Sequence, residues 1–85
     1  MARTTEKDLN YLIGILNNAL GAPSQTWVNG KAQIGNYHLY RTQGLWSVHV
    51  VMNTSGGVHT ARSATSPREL RTWLEGAVWG INARS

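Results

Sequence analysis

The stretch GNYHLYRTQGLWSVHVVM, residues 35–52, constrains the fold more than any other part of the chain. In its second half Trp46, Val48, Val50 and Met52 alternate with Ser47 and His49, the period of a strand with one buried face. Gln43–Gly44 is a two-residue turn signal, so the strand before it folds back in register, with Leu39 opposite Val48 and Tyr37 opposite Val50. That register gathers Tyr37, Leu39, Trp46, Val48, Val50 and Met52 on one apolar face and sets His38 opposite His49 on the other. A third strand follows NTSGG, a loop of turn formers, with Val58 and Thr60 expected to join the apolar face. Short connections make the three strands, over about 34–41, 45–52 and 58–64, an antiparallel meander.

Helical patterns flank the strands. Thr4 or Thr5 caps the first, over about 5–20, and Glu6 and Asp8 place negative charge in its first turn. Leu9, Leu12, Ile13, Leu16 and Leu20 form one apolar stripe, then Gly21 and Pro23 end the helix. SPRELRTWLEGAVWGI begins the last helix, over about 67–81, with Ser66 as cap, Pro67 at the first position and Glu69 three beyond the cap. Its stripe is Leu70, Trp73, Leu74, Ala77, Val78 and Ile81, and the tail NARS is expected to fray. Between first helix and first strand lies a polar connector, GAPSQTWVNGKA, in which Trp27 is expected to fold over the edge of the core. An extra strand at Gln25–Val28, before the Asn29–Gly30 turn signal, is the alternative. Two helical stripes and one apolar sheet face must cover one another. The expected fold class is therefore α+β, an α-β-β-β-α two-layer sandwich with both helices on one face of a three-stranded meander.

Eighty-five residues hold one core, so a single domain spanning 1–85 is expected. With 41% apolar and 14% charged residues the chain is neither disordered nor membranous, and no apolar run nears a membrane span. No cysteine is present, which excludes disulfides and thiolate chemistry, so packing or self-association must hold the fold. The N-terminus carries no apolar targeting segment, and residence in a cytoplasm is expected. The net charge is +4, and all four acids lie near the ends, at Glu6, Asp8, Glu69 and Glu75. The middle holds Lys31, Arg41 and Arg62 and no carboxylate, which permits an anionic partner without requiring one.

Strand parity points His38, His49 and His59 outward, one from each strand, beside Asn36, Tyr40, Ser47 and Val51. Three readings fit this cluster: a half-wet strand surface, a contact face on which imidazoles and Tyr40 stack, or chemistry by a metal site or an imidazole pair. Metal is disfavoured, because no carboxylate is at hand to orient the imidazoles. On the last helix Trp79 falls nearly opposite the buried stripe, with Arg68, Thr72, Glu75 and Gly76. An indole there marks a contact surface, unless the connector around Trp27 wraps over it or the last turn bends. Gly76 and Gly80 are expected to mark close approach to the first helix. No Walker loop, nucleophile elbow, zincin motif or EF-hand is present, and an enzyme is not expected.

The α-β-β-β-α order is also that of double-stranded-RNA-binding domains, whose last helix begins with a lysine-rich phosphate grip. Here that start is SPRELR, with Arg68 and Arg71 and no lysine cluster, so the order brings no function with it. LNNALGAP (16–23), GNYHLY (35–40), SGGV (55–58) and SPRELRTWL (66–74) together resemble a group of small bacteriophage and prophage proteins. That group has a similar leucine–asparagine helix end closed by Gly and Pro, a Gly-Asn-Tyr-His-Leu segment, a glycine pair and a Pro-Arg-Glu-Leu-like helix start. The resemblance spans most of the chain and implies a phage origin and residence in the host cytoplasm. It assigns no activity, and Gly35, Asn36 and His38 match it without acquiring a role.

These features predict a small non-catalytic phage accessory protein that binds a host or phage macromolecule through Trp79 and the open sheet face. A protein partner or self-association, such as a homodimer, is expected, with no cofactor, metal, membrane or small-molecule substrate. One alternative is a nucleic-acid-binding domain that uses the open face, with Lys31, Arg41 and Arg62 beside Tyr40, His38, His49 and His59. The other is a metal-independent nuclease built on the pair His38 and His49.

Overall fold

The computed structural model describes residues 4–84, with side chains through residue 81. Helix α1 spans Glu6–Leu20 and helix α2 Pro67–Arg84. Both begin where local chemistry dictates. Thr5 caps α1 in a reciprocal box: its hydroxyl accepts from the Asp8 amide, and the Asp8 carboxylate accepts from the Thr5 amide. Those bonds hold the Asp8 carboxyl below the ordinary carboxylate range. At α2 the Ser66 hydroxyl accepts from the Glu69 amide, while the Glu69 carboxylate takes a hydrogen bond from Thr65 at 2.8 Å. Gly21, at φ 67°, ends α1 in the left-handed conformation. The tail expected to fray is helical to Arg84, and Ser85 lies outside the described residues.

Five strands lie between the helices: β1 (Trp27–Val28), β2 (Lys31–Ala32), β3 (Tyr37–Thr42), β4 (Leu45–Val51) and β5 (Val58–Thr65). They form two antiparallel sheets, β1-β2 and β3-β4-β5, so the protein is α+β with one more sheet than expected. Gln43 and Gly44 both have positive φ, and β3 pairs with β4 in the register read from the sequence, His38 opposite His49 and Leu39 opposite Val48. Leu9, Ile13 and Leu16 of α1, Leu70 and Leu74 of α2, and Trp46 and Val48 of β4 form one buried cluster, so both helices cover one sheet face. Tyr37, Leu39, Ala61 and Trp73 pack around it. The Cα extents of 40 × 36 × 19 Å suit one sheet under one helix layer. Leu20 lies on the stripe yet is exposed, so the last turn of α1 runs past the core.

Several boundaries and faces differ from expectation. Gly35, at φ 92°, is part of a turn, so β3 starts at Tyr37 rather than residue 34, and Ile34 is exposed. Met52 lies beyond the end of β4 and is exposed rather than in the core. The loop over 52–57 pairs Val51 with Val58, His49 with Thr60 and Val50 with His59. Val58 and Thr60 therefore face away from the helices, and His59 shares the face of Val50. Two register shifts further along leave β5 with extra residues and bring Thr65 opposite Trp46.

The connector is the second departure. Asn29 and Gly30 both take positive φ and close the β1-β2 hairpin, so Trp27 sits in a strand. Its indole meets Gly56 on the β4-β5 loop, where a Cβ would come within 2.9 Å of the ring. The Asn36 amide donates to the Pro23 carbonyl at 2.8 Å and accepts from the Thr26 hydroxyl at 2.9 Å. The Ala32 amide bonds to the Thr54 carbonyl. These bonds lay the connector against one end of the sheet, and Asn36 and Val51 are buried there instead of open.

Candidate binding surfaces

What remains of the free sheet face is a small aromatic group. The Tyr40 and His49 rings stack with centroids 4.7 Å apart and planes 17° from parallel. His38 meets His49 edge-on at 5.8 Å. Burial holds the His38 imidazole below its ordinary pKa of 6.5, and the nearby His49 adds to the effect. Its Nδ1 is buried without a hydrogen-bond partner. The Ser47 hydroxyl, only 5% exposed, donates to the Tyr40 carbonyl at 3.3 Å and lies 3.4 Å from His49 Nε2. The serine proton is thus engaged at a carbonyl rather than aimed at the imidazole.

His59 is absent from this group, because it pairs with Val50 and faces the other way. The row of three histidines is thus not assembled. Among the described residues no three His, Cys, Asp or Glu side chains are grouped to hold a metal.

The basic residues expected on the same face are also elsewhere. Arg41 pairs with Trp46 on the helix side, and its guanidinium carbon lies 5.3 Å from the Trp46 ring centroid. Arg62, opposite Val48, donates to Ser63 and borders a hollow with Arg68 and Trp73 under the start of α2. Lys31 stands exposed on the β1-β2 hairpin. Arg41 instead meets Arg68 and Arg71, two residues not singled out as binding candidates, around a cleft at the hairpin tip. Their convergence is a product of chain folding, invisible in linear spacing. Lys7, Asp8, Tyr11 and Leu12 of α1 line a hollow with Arg71 and Glu75 of α2, so the N-terminal half of α1 lies beside α2.

The outer side of α2 is the third surface. Trp79 is 74% exposed. Trp27, the cover in the alternative reading, is held at Gly56. Gly76 and Gly80 do not pack on α1 as expected: a Cβ built at either would meet nothing within 4 Å. Each glycine inside a helix costs about 0.5–1 kcal/mol relative to alanine, so two are carried here with no contact among the described residues to explain them.

Among the described residues no helix is long and apolar enough to cross a membrane. Compared with protein-family models, with curated proteins and with solved structures, the chain matches none.

Proposed function

We propose that this is a non-catalytic binding protein of phage origin. It acts in the host cytoplasm on a host or phage macromolecule through the outer side of α2. The observation that carries this reading is the Trp79 indole, 74% exposed between two glycines that face open space. A large ring beside bare backbone is the relief into which another protein surface can pack, with aromatic anchor and close backbone approach side by side.

The test compares the protein with Trp79→Ala. Sedimentation equilibrium measures self-association, and affinity capture from infected-cell lysate, with and without nuclease, measures other partners. Trp79→Ala should keep the wild-type melting temperature and lose the self-association or the captured partner. Loss of the fold would place Trp79 in the core, and unchanged assembly and capture would refute the reading.

A further inference from the structure

The cleft at the β3-β4 hairpin tip brings three arginines together. It measures about 780 Å³ and is walled by Arg41, Trp46, Ser66, Arg68, Arg71 and Glu75. Its volume falls in the range of about 300–1,000 Å³ typical of small-molecule sites. Three guanidiniums and one carboxylate line it, that carboxylate only loosely engaged, with Glu75 Oε2 3.8 Å from Arg71 Nε, and the Asp8 carboxylate in the adjoining hollow also acts on Arg71. Arg68 has no ion pair among the described residues. Arg41 lies over the face of Trp46, itself buried in the core. Stacking on an indole occupies the face of a guanidinium and leaves its in-plane N–H donors at the edge, already oriented. The Ser66 hydroxyl accepts from the Glu69 amide and still has its own proton to donate. The cleft thus presents excess positive charge and convergent N–H and O–H donors, one of them fixed on a rigid ring.

We propose that this cleft binds a phosphate group, with Arg41 as the positioned donor and Arg68 and Arg71 closing on the other oxygens. Planar guanidiniums match the non-bridging oxygens of a phosphate two at a time, and three cations in one cleft suit that anionic group. The phosphate is carried by a free nucleotide, as a monoester, or by a nucleic-acid backbone, as a diester, and the non-bridging oxygens recognised are common to both. The site is separate from Trp79 in its residues, so Trp79→Ala should leave phosphate binding intact.

The experiment is an NMR titration of the whole chain at low salt, following backbone amides and arginine Nε–H signals. The probes are inorganic phosphate, adenosine monophosphate and a short single-stranded oligonucleotide. Saturable shifts at Gly44, Arg41, Arg68 and Arg71 are expected. Saturation by adenosine monophosphate assigns the cleft to a free nucleotide, and saturation by the oligonucleotide alone assigns it to a polymer backbone. Arg68→Gln and Arg41→Met, the latter keeping the packing on Trp46, should each weaken the response about tenfold, as loss of one charge-assisted pair does. Lys31→Gln, the same loss of charge on the distant hairpin, should not change it. Shifts that never saturate with any probe would overturn the assignment. So would equal weakening by Lys31→Gln, which would reduce the effect to net charge.

Discussion

Asn17 offers the sharpest test of how the helix layer is fixed to the sheet. It is 2% exposed, and its amide acts as a strand would: Nδ2 donates to the Tyr37 carbonyl at 3.0 Å, and Oδ1 accepts from the Tyr37 amide at 2.9 Å. β3 is an edge strand, and Tyr37 turns these groups away from β4. Asn17→Ala would leave both without a partner. At about 1–3 kcal/mol for each buried orphan, the expected loss is about 2–6 kcal/mol. A domain of this size has roughly 4–13 kcal/mol of stability in all, so the variant should be barely folded at the lower end. In thermal unfolding followed by circular dichroism, that loss reads as a drop of about 10–30 °C. Asn17→Asp discriminates further. Its carboxylate cannot donate to the Tyr37 carbonyl, while the protonated acid can, so this variant should gain stability as the pH falls toward about 4. Asn18→Ala, one residue along and exposed, is the control and should stay within about 0.5 kcal/mol of wild type. The reasoning fails if Asn17→Ala melts with the wild type, or if the Tyr37 amide keeps its hydrogen-exchange protection in that variant.

Other outcomes follow from the same structure. The His38 imidazole is held below its ordinary pKa by burial, so the unfolded chain takes up a proton that the native state refuses. Stability should therefore fall as the pH drops from about 7.5 to 5, and His38→Phe should remove part of that slope in urea titrations; an identical slope would exclude His38 as its source. Gly56→Ala places a Cβ 2.9 Å from the Trp27 ring at a backbone φ of 100°. It should cost about 1–3 kcal/mol, less in a Trp27→Ala background, and strict additivity would show that ring and loop do not touch. Thr65→Val should lower the free energy of unfolding in urea titrations by about 1 kcal/mol through loss of the bond to Glu69, and no change would make that bond incidental.

What could be read from residues alone was what local rules determine. The Gln43–Gly44 turn admits one register, so the pairing of His38 with His49 and the burial of Trp46 and Val48 followed from parity. The caps at Thr5 and Ser66 and the stop at Gly21 were legible for the same reason, since each is written within a few residues. His59 was misplaced because the pairing across 52–57 depends on how the loop closes, through the Met52–Gly57 bond and the Asn53 side chain that ties Ser55 and Gly57. Asn17 read as part of a helix end, although its task is set by a strand twenty residues away. Arg41, Arg68 and Arg71 meet only when the hairpin tip is laid beside the start of α2, and no spacing records that. The glycines of α2 were expected to mark close approach to α1, but a Cβ at either meets nothing within 4 Å among the described residues, so their spacing recorded no packing between the helices.

The claim that the outer side of α2 is kept free for a partner is tested most directly by filling it. Gly76→Ala with Gly80→Ala adds two methyl groups to open space, so the doubly substituted chain should be about 1–2 kcal/mol more stable than wild type in urea titrations. The same protein, assayed for self-association and for capture from lysate, should lose the assembly that depends on Trp79. Raised stability with assembly and capture unaltered would show that nothing packs against this side of the helix.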